Sequence, residues 1–419
     1  MAFDCDSDLK NLLRDVFGYS SFRPGQLEII KEILAQRSVL AVMPTGAGKS
    51  LCYQLPAIYS QRNTIIVSPL VALIDDQVAA LAHSGVQVSK LHSGLSRDEN
   101  VAQWKKFASG VAKILYMSPE RLMQPRMLDA LQKQTIGMFV VDEAHCISKW
   151  GADFRPDYEA LAQLKTVFPE TVIAAFTATA DKATRSDIGT KLAIRDGSVF
   201  VKGFDRPNLS LQVLPKQDIK GKLLDFLSDR RRQSGIIYCL SRNETDQFCE
   251  FLKTNEFNPI AYHAGKTADF RREAQNRFMT EDAVVMVATI AFGMGIDKPD
   301  VRFVIHHDIP KSLESYYQET GRAGRDDGEG YCLAFYAYKD IEKLEKFMAS
   351  KPIAEQEIGH ALLQEVVGYA ETSMSRRKYL LHYFGEEYDE VNGDGANMDD
   401  NTKNPKKKHE AKENVIKLL

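Results

Sequence analysis

The order of apolar segments along the chain restricts its fold more than any other feature of the sequence. Short runs of aliphatic and β-branched residues alternate with segments whose apolar residues recur at helical spacing. This alternation predicts an α/β fold with parallel sheets covered by helices, because parallel strands must be joined by long crossovers. The predicted strands are 38–42, 64–67, 113–117, 138–141 and 172–176 in the first half and 235–240, 259–262, 283–288, 302–305 and 331–335 in the second.

The alternation occurs twice with similar spacing, which predicts two similar α/β domains that join within residues 201–215. The pattern then becomes helical, and the last residues are polar with few apolar side chains, which is typical of a flexible linker. We expect residues 414–419 to begin a further helix. The predicted limits are 1–207 for the first domain, 208–340 for the second, 341–385 for a helical subdomain and 386–419 for a flexible tail.

The composition is typical of a globular protein and excludes several other classes. The six cysteines never form a C-x-x-C pair, so they indicate neither a disulfide framework nor a zinc site. No apolar run approaches the roughly 18 residues of a membrane span, and the acidic N-terminus lacks the apolar stretch of a signal peptide. We therefore expect an intracellular, soluble protein. Its net charge of −3 still allows a local basic groove that binds nucleic acid.

A glycine-rich segment follows the first predicted strand and predicts a phosphate-binding loop. Its glycines allow backbone amides to face phosphate oxygens, while Lys49 would contact the β- and γ-phosphates and the Ser50 hydroxyl would bind Mg²⁺. The alternative is a glycine-rich turn with a surface lysine, since Met43 stands where the usual first glycine would be. The segment is Met43-Pro44-Thr45-Gly46-Ala47-Gly48-Lys49-Ser50.

Two acidic residues follow a later strand of the first half. Asp142 is placed to hold Mg²⁺, and Glu143 to orient the attacking water as a general base. His145 could link this site to the rest of the protein. The alternative, an acidic turn without a metal, is less consistent with the lysine loop upstream. Together the two segments predict a protein that hydrolyses ATP with Mg²⁺.

Two arginines near the end of the second half predict positive charge for the transferred phosphoryl group. Arg322 and Arg325 are three residues apart on one helix face, and adjacent glycines allow close approach. Such arginine fingers accelerate phosphoryl transfer by roughly 10³–10⁵-fold. The alternative is a pair of arginines in surface salt bridges. If both act as fingers, hydrolysis requires the second domain as well as the first.

The order of these motifs resembles the superfamily 2 helicases, and more specific runs resemble the RecQ family of DNA helicases over about residues 8–405. The resemblance implies two tandem RecA-like domains followed by a small helical subdomain. It also implies ATP-dependent 3′-to-5′ movement on single-stranded DNA and duplex unwinding in recombination and repair. The specific runs are FGY at 17–19, FRPGQ at 22–26, DEAHCIS at 142–148, FRP at 154–156, GFDRPN at 203–208 and AFGMGI at 291–296.

The resemblance also assigns roles residue by residue. It implies that Gln26 reads the adenine base, with Arg23 and Phe17 beside it. It implies that Gln318 acts in catalysis with the two arginines. Further nucleotide contacts are implied for the loop residues before Lys49, which are Thr45, Gly46, Ala47 and Gly48.

Aromatic residues after the acidic pair predict contacts with DNA bases. Trp150, Phe154 and Arg155 would form a stacking platform with Tyr158 beside them, worth roughly 1–3 kcal/mol per base. The alternative is that these aromatic side chains pack in the core. Residues that follow other strands would hold the DNA backbone. They are Ser68, Arg121 and Thr289.

The helical subdomain departs from the RecQ pattern. Four cysteines of that pattern bind zinc, and the corresponding residues here are Ser375, Ala396, Asp399 and Thr402. Zinc sites are built mainly from cysteine and histidine, so we predict no zinc and expect residues 396–402 to be disordered. The chain also stops where the family's winged-helix domain begins, which predicts weaker binding of duplex DNA.

Three functions are to be distinguished. The leading hypothesis is a monomeric DNA helicase motor that acts on single-stranded and forked DNA, without a membrane, and has single-strand-binding or repair proteins as partners. An RNA helicase is less consistent with the RecQ-like runs. A DNA-binding module with an inactive motor is less consistent with intact Lys49, Glu143 and Arg322. We expect a cytoplasmic location, associated with the nucleoid if the source is bacterial.

Overall fold

The architecture is that of a computed structural model, which describes residues 5–44, 46–149, 154–201, 203–293, 298–350 and 352–405. It contains two parallel β-sheets flanked by helices and a helical region after the second sheet. The predicted fold class, two RecA-like parallel-sheet domains followed by a small helical subdomain, is confirmed. None of the described helices is long and apolar enough to cross a membrane.

The first sheet is formed by the strands β1 (Val39–Val42), β2 (Asn63–Val67), β3 (Val88–Leu91), β4 (Ile114–Met117), β5 (Ile136–Val141), β6 (Val172–Thr177) and β7 (Val199–Val201). Their spatial order is β3-β4-β2-β5-β6-β1-β7, and all neighbours are parallel. Every residue of β1, β4 and β6 is buried. Such burial is expected when helices cover both faces of a sheet.

Two helices of this half precede β1, and the others connect successive strands. They are α1 (Cys5–Phe17), α2 (Gln26–Leu34), α3 (Lys49–Ser60), α4 (Val71–His83), α5 (Arg97–Ala108), α6 (Pro119–Leu122), α7 (Pro125–Gln132), α8 (Pro156–Glu159), α9 (Leu164–Val167) and α10 (Lys182–Lys191). Short 3₁₀ turns occupy Ala144–Ile147, Ala160–Gln163 and Asp196–Ser198. The apolar residues of α1, α2 and α3 pack with one face of the sheet in a single core cluster.

The second sheet is formed by β8 (Leu209–Pro215), β9 (Ser234–Tyr238), β10 (Asn258–Tyr262), β11 (Val284–Ala288), β12 (Val301–His306) and β13 (Gly330–Tyr336). Their order is β10-β11-β9-β12-β13-β8, again with parallel neighbours. The accompanying helices are α11 (Ile219–Ser228), α12 (Arg242–Thr254), α13 (Ala268–Thr280) and α14 (Leu313–Thr320). The helical region contains α15 (Tyr338–Met348), α16 (Ile353–Glu371), α17 (Arg376–Tyr383) and α18 (Asp400–Lys403).

Several helices begin at a serine or threonine whose side chain accepts the N–H of the residue three positions later. Ser96 caps α5 in this way, and the Glu99 carboxylate accepts the N–H of Ser96, which completes a capping box. Ser241 caps α12 and Thr267 caps α13. These caps satisfy amides at the helix start that have no partner within the helix.

Residue contacts divide the chain into two compact units. The first unit comprises Met1–Phe204, Phe292–Lys298 and Glu314–Arg322. The second unit comprises Asp205–Ala291, Pro299–Leu313 and Ala323–Leu419. Gln318 and Arg322, which the sequence assigned to the second domain, are therefore part of the first unit. The predicted limits 1–207, 208–340 and 341–385 stay predictions.

The chain passes from the first unit to the second after Phe204, which lies within the proposed joint at 201–215. The same segment contains β8, which pairs with β13 along its whole length. The prediction of a flexible tail is wrong for residues 386–405, where Asp399 and Asn401 are buried and Asp400–Lys403 is helical. This segment is held by hydrogen bonds of polar side chains, which a search for apolar periodicity does not detect. The proposed helix at 414–419 lies outside the described residues.

Candidate nucleotide and magnesium site

The predicted catalytic segments lie at the carboxyl ends of strands in the first sheet, where ligands of open parallel sheets bind. The phosphate loop follows β1, Asp142 follows β5, and Thr177 ends β6. Because β6 lies between β5 and β1, the fold brings the loop and the acidic pair to one edge of the sheet. All of these segments belong to the first unit.

The phosphate loop turns through glycine and ends in a helix. Gly48 has a φ of 75°, a conformation that residues with a Cβ rarely adopt. α3 begins at Lys49, so the amides of its first turn face the loop and favour an anion there. The Lys49 ammonium donates to the carbonyl oxygens of Met43 and Pro44 at 3.2 and 3.3 Å. Thr45 lies outside the described residues.

The residues implied for adenine recognition contact the same loop. The side-chain amide of Gln26 donates to the Ala47 carbonyl oxygen at 2.9 Å, and its oxygen accepts the N–H of Arg23 at 2.9 Å. The Arg23 guanidinium donates to the carbonyl oxygen of Gly46. Phe17 packs against the edge of the core cluster. Gln26 and Arg23 therefore brace the loop, and adenine reading stays a prediction.

The acidic pair is held at the end of β5. The Asp142 N–H donates to the Val67 carbonyl oxygen at 3.0 Å, which continues the strand pairing by one residue. Glu143 has a left-handed backbone with a φ of 49°, and its N–H donates to Asp142 Oδ1 at 3.0 Å. Burial, together with the neighbouring Glu143 charge, raises the pKa of Asp142 to about 7, and Lys49 acts in the opposite direction.

The donor set at this edge fits Mg²⁺, which prefers hydroxyl and carboxylate oxygens. Two half-buried carboxylates side by side are unfavourable unless a cation compensates them. Oε2 of Glu143 is buried and completes no hydrogen bond with any described residue. Ser50 and Asp142 are the residues that would hold the metal ion, and Glu143 would face the water beside it.

A chain of polar contacts leads from the acidic pair to α14. His145 Nδ1 lies 3.4 Å from Glu143 Oε2 and 2.7 Å from Thr177 Oγ1. The Thr177 hydroxyl donates to the Thr179 carbonyl oxygen at 3.0 Å, and the Gln318 amide donates to Thr179 Oγ1 at 2.8 Å. The predicted catalytic residue Gln318 is thus connected to Glu143 within the first unit.

The two predicted arginine fingers are not equivalent in the structure. Arg322 follows α14 in the first unit, is 7% exposed, and its Nε completes no hydrogen bond among the described residues. Arg325 belongs to the second unit, and its N–H donates to the Pro299 carbonyl oxygen at 3.2 Å. The intervening Gly324 has a φ of 58°. This turn separates the two side chains, so the sequence argument that they share one helix face is wrong.

A buried charge network occupies the carboxyl edge of the second sheet. The Lys216 ammonium lies 2.5 Å from Asp308 and 2.8 Å from Asp340. Burial alone would raise the pKa of Asp308, but the His307 imidazole and the Lys216 ammonium hold it well below its ordinary value. Glu244, His307 and Asp308 have the spacing of a metal site. The ammonium already supplies the positive charge that these carboxylates require.

The residues predicted to hold the DNA backbone also follow strand ends. Ser68 follows β2, is buried, and its hydroxyl completes no hydrogen bond among the described residues. Arg121 lies in α6 after β4, and its guanidinium donates to Gln124 Oε1 at 3.3 Å. Thr289 follows β11 in the second unit, and its N–H donates to the Tyr262 carbonyl oxygen at 3.1 Å. Their contact with DNA stays a prediction.

The aromatic segment divides between surface and core. Phe154 is partly exposed, and Lys149 Nζ lies 5.7 Å from its ring centroid. Arg155 donates to the Pro69 carbonyl oxygen at 3.1 Å. Tyr158 is fully buried, and its hydroxyl donates to the Asp142 carbonyl oxygen at 2.9 Å, so its placement beside the stacking platform is wrong. Trp150 lies outside the described residues.

Comparison with protein families matches most of the chain to helicase models. The model described as DEAD/DEAH box helicase matches residues 23–188, and the helicase conserved C-terminal domain matches 218–327. The model described as RecQ zinc-binding matches 338–397. The ATP-dependent DNA helicase RecQ of Bacillus subtilis is 39% identical over 396 residues, which cover 93% of this chain and 67% of that protein.

The chain belongs to the RecQ helicase family. The RecQ helicase of Pasteurella multocida is 43% identical over 90% of this chain, and the ATP-dependent DNA helicase Q1 of Rattus norvegicus is 37% identical over 94%. The chain spans about three fifths of the length of the first of these RecQ relatives, since the match covers 60% of the Pasteurella protein.

Solved structures support the same fold at low sequence identity. The DEAD-box helicase Mss116 bound to ssRNA is 19% identical with a TM-score of 0.64, and the match covers 86% of this chain and 81% of that one. The DUF1998 helicase MrfA bound to DNA is 17% identical with a TM-score of 0.63, covering 93% of this chain and 56% of that one. At these identities the likeness concerns the fold alone.

The positions where the RecQ pattern has zinc-binding cysteines lie in a polar cluster of the second unit. The Ser375 hydroxyl donates to Asp399 Oδ2 at 2.7 Å, and both residues are buried. Ser375 caps α17 by accepting the N–H of Lys378 at 3.2 Å. Asp399 caps α18 by accepting the N–H of Thr402 at 2.9 Å. Ala396 is buried as well, so the expected disorder of residues 396–402 is wrong.

The polar cluster is tied to the edge strand β8. Arg376 pairs with the Asp400 carboxylate, which also accepts the N–H of Val213 at 2.9 Å. The Leu211 N–H donates to the Met398 carbonyl oxygen at 2.8 Å. The segment 396–405 thus forms part of a hydrogen-bonded layer on the second sheet.

Proposed function

We propose that this chain is the motor of an ATP-dependent DNA helicase that moves 3′-to-5′ on single-stranded DNA and unwinds duplexes in recombination and repair. The observation that carries the proposal is the polar chain from the half-buried Asp142–Glu143 pair to Gln318, beside a phosphate loop at the same sheet edge. Membership of the RecQ family supplies the DNA substrate.

The residues of the site divide the work of hydrolysis. Lys49 and the amides of α3 bind the phosphates, as the loop geometry favours. A Mg²⁺ ion held by Ser50 and Asp142 would neutralise charge on the β- and γ-phosphates. Glu143 orients the attacking water, and His145 holds its carboxylate in place. Arg322 and Arg325 stabilise the charge that develops on the transferred group.

The substrate is single-stranded and forked DNA. Phe154 and Arg155, with Trp150, are proposed to stack on unpaired bases, and Ser68 and Arg121 to hold the backbone. On the second unit, Thr289 is proposed to contact the DNA backbone. We propose that the chain acts as a monomer with single-strand-binding or repair proteins as partners. Its proposed location is with the DNA in the cytoplasm, associated with the nucleoid in a bacterium.

ATP turnover with and without nucleic acid tests this function. Single-stranded DNA should stimulate hydrolysis severalfold, and Lys49→Ala should abolish it because the phosphates lose their charged donor. Lys149→Ala, which removes a surface charge near the aromatic segment but leaves the phosphate loop intact, is a control that should retain basal turnover. Stimulation by RNA but not DNA would contradict the substrate, and no turnover at all would indicate an inactive motor.

We also propose that the helical region (α15–α18) holds no zinc, although residues 338–397 match the RecQ zinc-binding model. The Ser375 hydroxyl and the Asp399 carboxylate are hydrogen-bonded to each other, and Ala396 offers no donor atom. Thr402 carries only a neutral hydroxyl. Structural zinc sites are built from four thiolate or imidazole ligands, which these positions lack. Hydrogen bonds such as that between Ser375 and Asp399 therefore replace the metal in holding the helical region together.

Metal analysis of the purified chain tests the zinc proposal. The expected zinc content is far below one ion per chain, and prolonged dialysis against a chelator should leave the thermal unfolding curve unchanged. About one zinc ion per chain, or unfolding of the helical region by the chelator, would contradict the proposal.

A further inference from the structure

A buried tyrosine lies beneath the phosphate loop and has no role in the mechanism described above. Tyr53 is three residues after Ser50 on α3, so the two side chains share a helix face. Its side chain is fully buried. The ring packs edge-on against Phe176 of β6, with centroids 5.1 Å apart and an interplanar angle of 64°.

Strand register places Asp142 at the same level of the sheet. Val141 pairs with Ala175, so Asp142 stands opposite Phe176, the residue on which Tyr53 packs. Side chains alternate along a strand, and Asp142 therefore points to the same face as Val140. Val140, Phe176 and Tyr53 are members of one core cluster on that face. The Tyr53 ring thus extends from Ser50 toward the carboxylate.

The Tyr53 hydroxyl is a donor without a settled acceptor. It is buried and completes no hydrogen bond with the described residues, although Ser50 is close enough to act on its pKa. Burial and the nearby Asp142 charge raise the pKa of Tyr53 well above its ordinary value, so the hydroxyl keeps its proton. A buried hydroxyl that lacks a hydrogen-bond partner destabilises the fold, so an acceptor nearby is favoured.

A second buried tyrosine provides a contrast. Tyr116 of β4 is equally buried, but its hydroxyl accepts a hydrogen bond from the Gln54 side chain at 2.8 Å. Gln54 also donates to Gln77 Oε1 at 2.7 Å. Tyr116 is therefore satisfied by Gln54, whereas the neighbouring Tyr53 hydroxyl completes no hydrogen bond with the described residues.

We propose that Tyr53 is a positioning residue for the metal site, which donates a hydrogen bond to the Asp142 carboxylate and fixes it for Mg²⁺. The proposal rests on the nucleotide function proposed above. Asp142 Oδ1 already accepts the Glu143 N–H, so a donor from α3 fixes the carboxylate from a second side. Removing a hydrogen bond that orients a metal ligand typically weakens metal binding about 10- to 100-fold.

Tyr53→Phe tests the proposal, because it removes the hydroxyl and keeps the ring on Phe176. Mn²⁺ binding in the presence of ADP, followed by electron paramagnetic resonance, should weaken about tenfold, the lower end of that range. ADP affinity without divalent metal should not change. Tyr369→Phe is the matched control, since it removes an equally buried hydroxyl from α16 of the second unit and should leave Mn²⁺ affinity at the wild-type value.

The outcomes separate this proposal from the function on which it rests. If the wild-type chain fails to bind Mn²⁺ with ADP, the proposed nucleotide site is wrong. If it binds but Tyr53→Phe binds equally well, or Tyr369→Phe weakens binding to the same degree, the positioning role is wrong. Urea unfolding of both variants identifies a general loss of stability, and metal binding unchanged in a Tyr53→Phe chain of wild-type stability overturns the proposal.

Discussion

Replacement of Ser375 by alanine tests the tether that we propose in place of zinc. The hydroxyl caps α17 and donates to the buried Asp399 carboxylate at 2.7 Å. Loss of a serine cap costs about 1 kcal/mol, and loss of a hydrogen bond to a charged group costs roughly 1.5–3 kcal/mol. The local stability of α17 and α18 should therefore fall by about 2.5–4 kcal/mol.

Hydrogen exchange of peptides that cover α17 and α18 measures this local stability. At 1.4 kcal/mol per factor of ten, exchange should accelerate roughly 60- to 700-fold. Ser241→Ala is the control, because Ser241 caps α12 and donates to Glu244 at 2.9 Å in a partly exposed setting. Its effect should be about 1 kcal/mol, local to α12. An effect of Ser375→Ala no larger than that of the control would contradict the proposed hydrogen-bond tether. Faster hydrogen exchange of α17 and α18 in the wild-type chain after addition of a chelator would contradict it as well.

Three further substitutions test other parts of the structure. Gly48→Ala places a Cβ 2.5 Å from the Gln26 amide nitrogen at a φ of 75°, so ATP affinity measured by calorimetry should fall about tenfold or more; unchanged affinity would contradict the loop geometry. Asp308→Asn tests pH dependence: its pKa is lowered in the fold, so its stabilisation is present above about pH 4 and is lost as pH falls. Urea unfolding of the variant should show lower stability at pH 7 and a shallower loss in acid, and an unchanged acid profile would argue against the network. Gln318→Ala removes the hydrogen bond to Thr179, so DNA-stimulated ATP turnover should fall while nucleotide affinity is kept; equal loss of both would indicate a structural role.

The sequence predicts best those parts of the structure whose pattern lies in consecutive residues. The buried strands appear as apolar runs, and the phosphate loop and acidic pair follow two of those runs directly. β8 was missed because its alternating pattern lies close to Pro207 and Pro215, which favoured a linker. β3 was missed because Ser89 and Lys90 interrupt its apolar pattern, and β7 because it has only three residues.

The remaining features depend on contacts between distant residues. The hydrogen bond from Gln318 to Thr179 joins positions 139 residues apart, and no local pattern indicates it. Tyr158 stands beside loop residues in sequence, but the fold turns its ring into the core. The order of segment 396–405 depends on pairs such as Ser375 with Asp399, 24 residues apart. A polar segment without apolar periodicity resembles a linker unless its partners are known.

Strand displacement on tailed duplexes is the direct test of the proposed 3′-to-5′ DNA helicase activity. A duplex with a 3′ single-stranded tail and one with a 5′ tail are incubated with the chain, ATP and Mg²⁺, and ATP turnover is measured on the same preparation. We expect ATP-dependent unwinding of the 3′-tailed duplex and little unwinding of the 5′-tailed one. The Glu143→Gln variant should unwind neither duplex. DNA-stimulated turnover without unwinding of either duplex, or preference for the 5′ tail, would contradict the assignment of a 3′-to-5′ helicase.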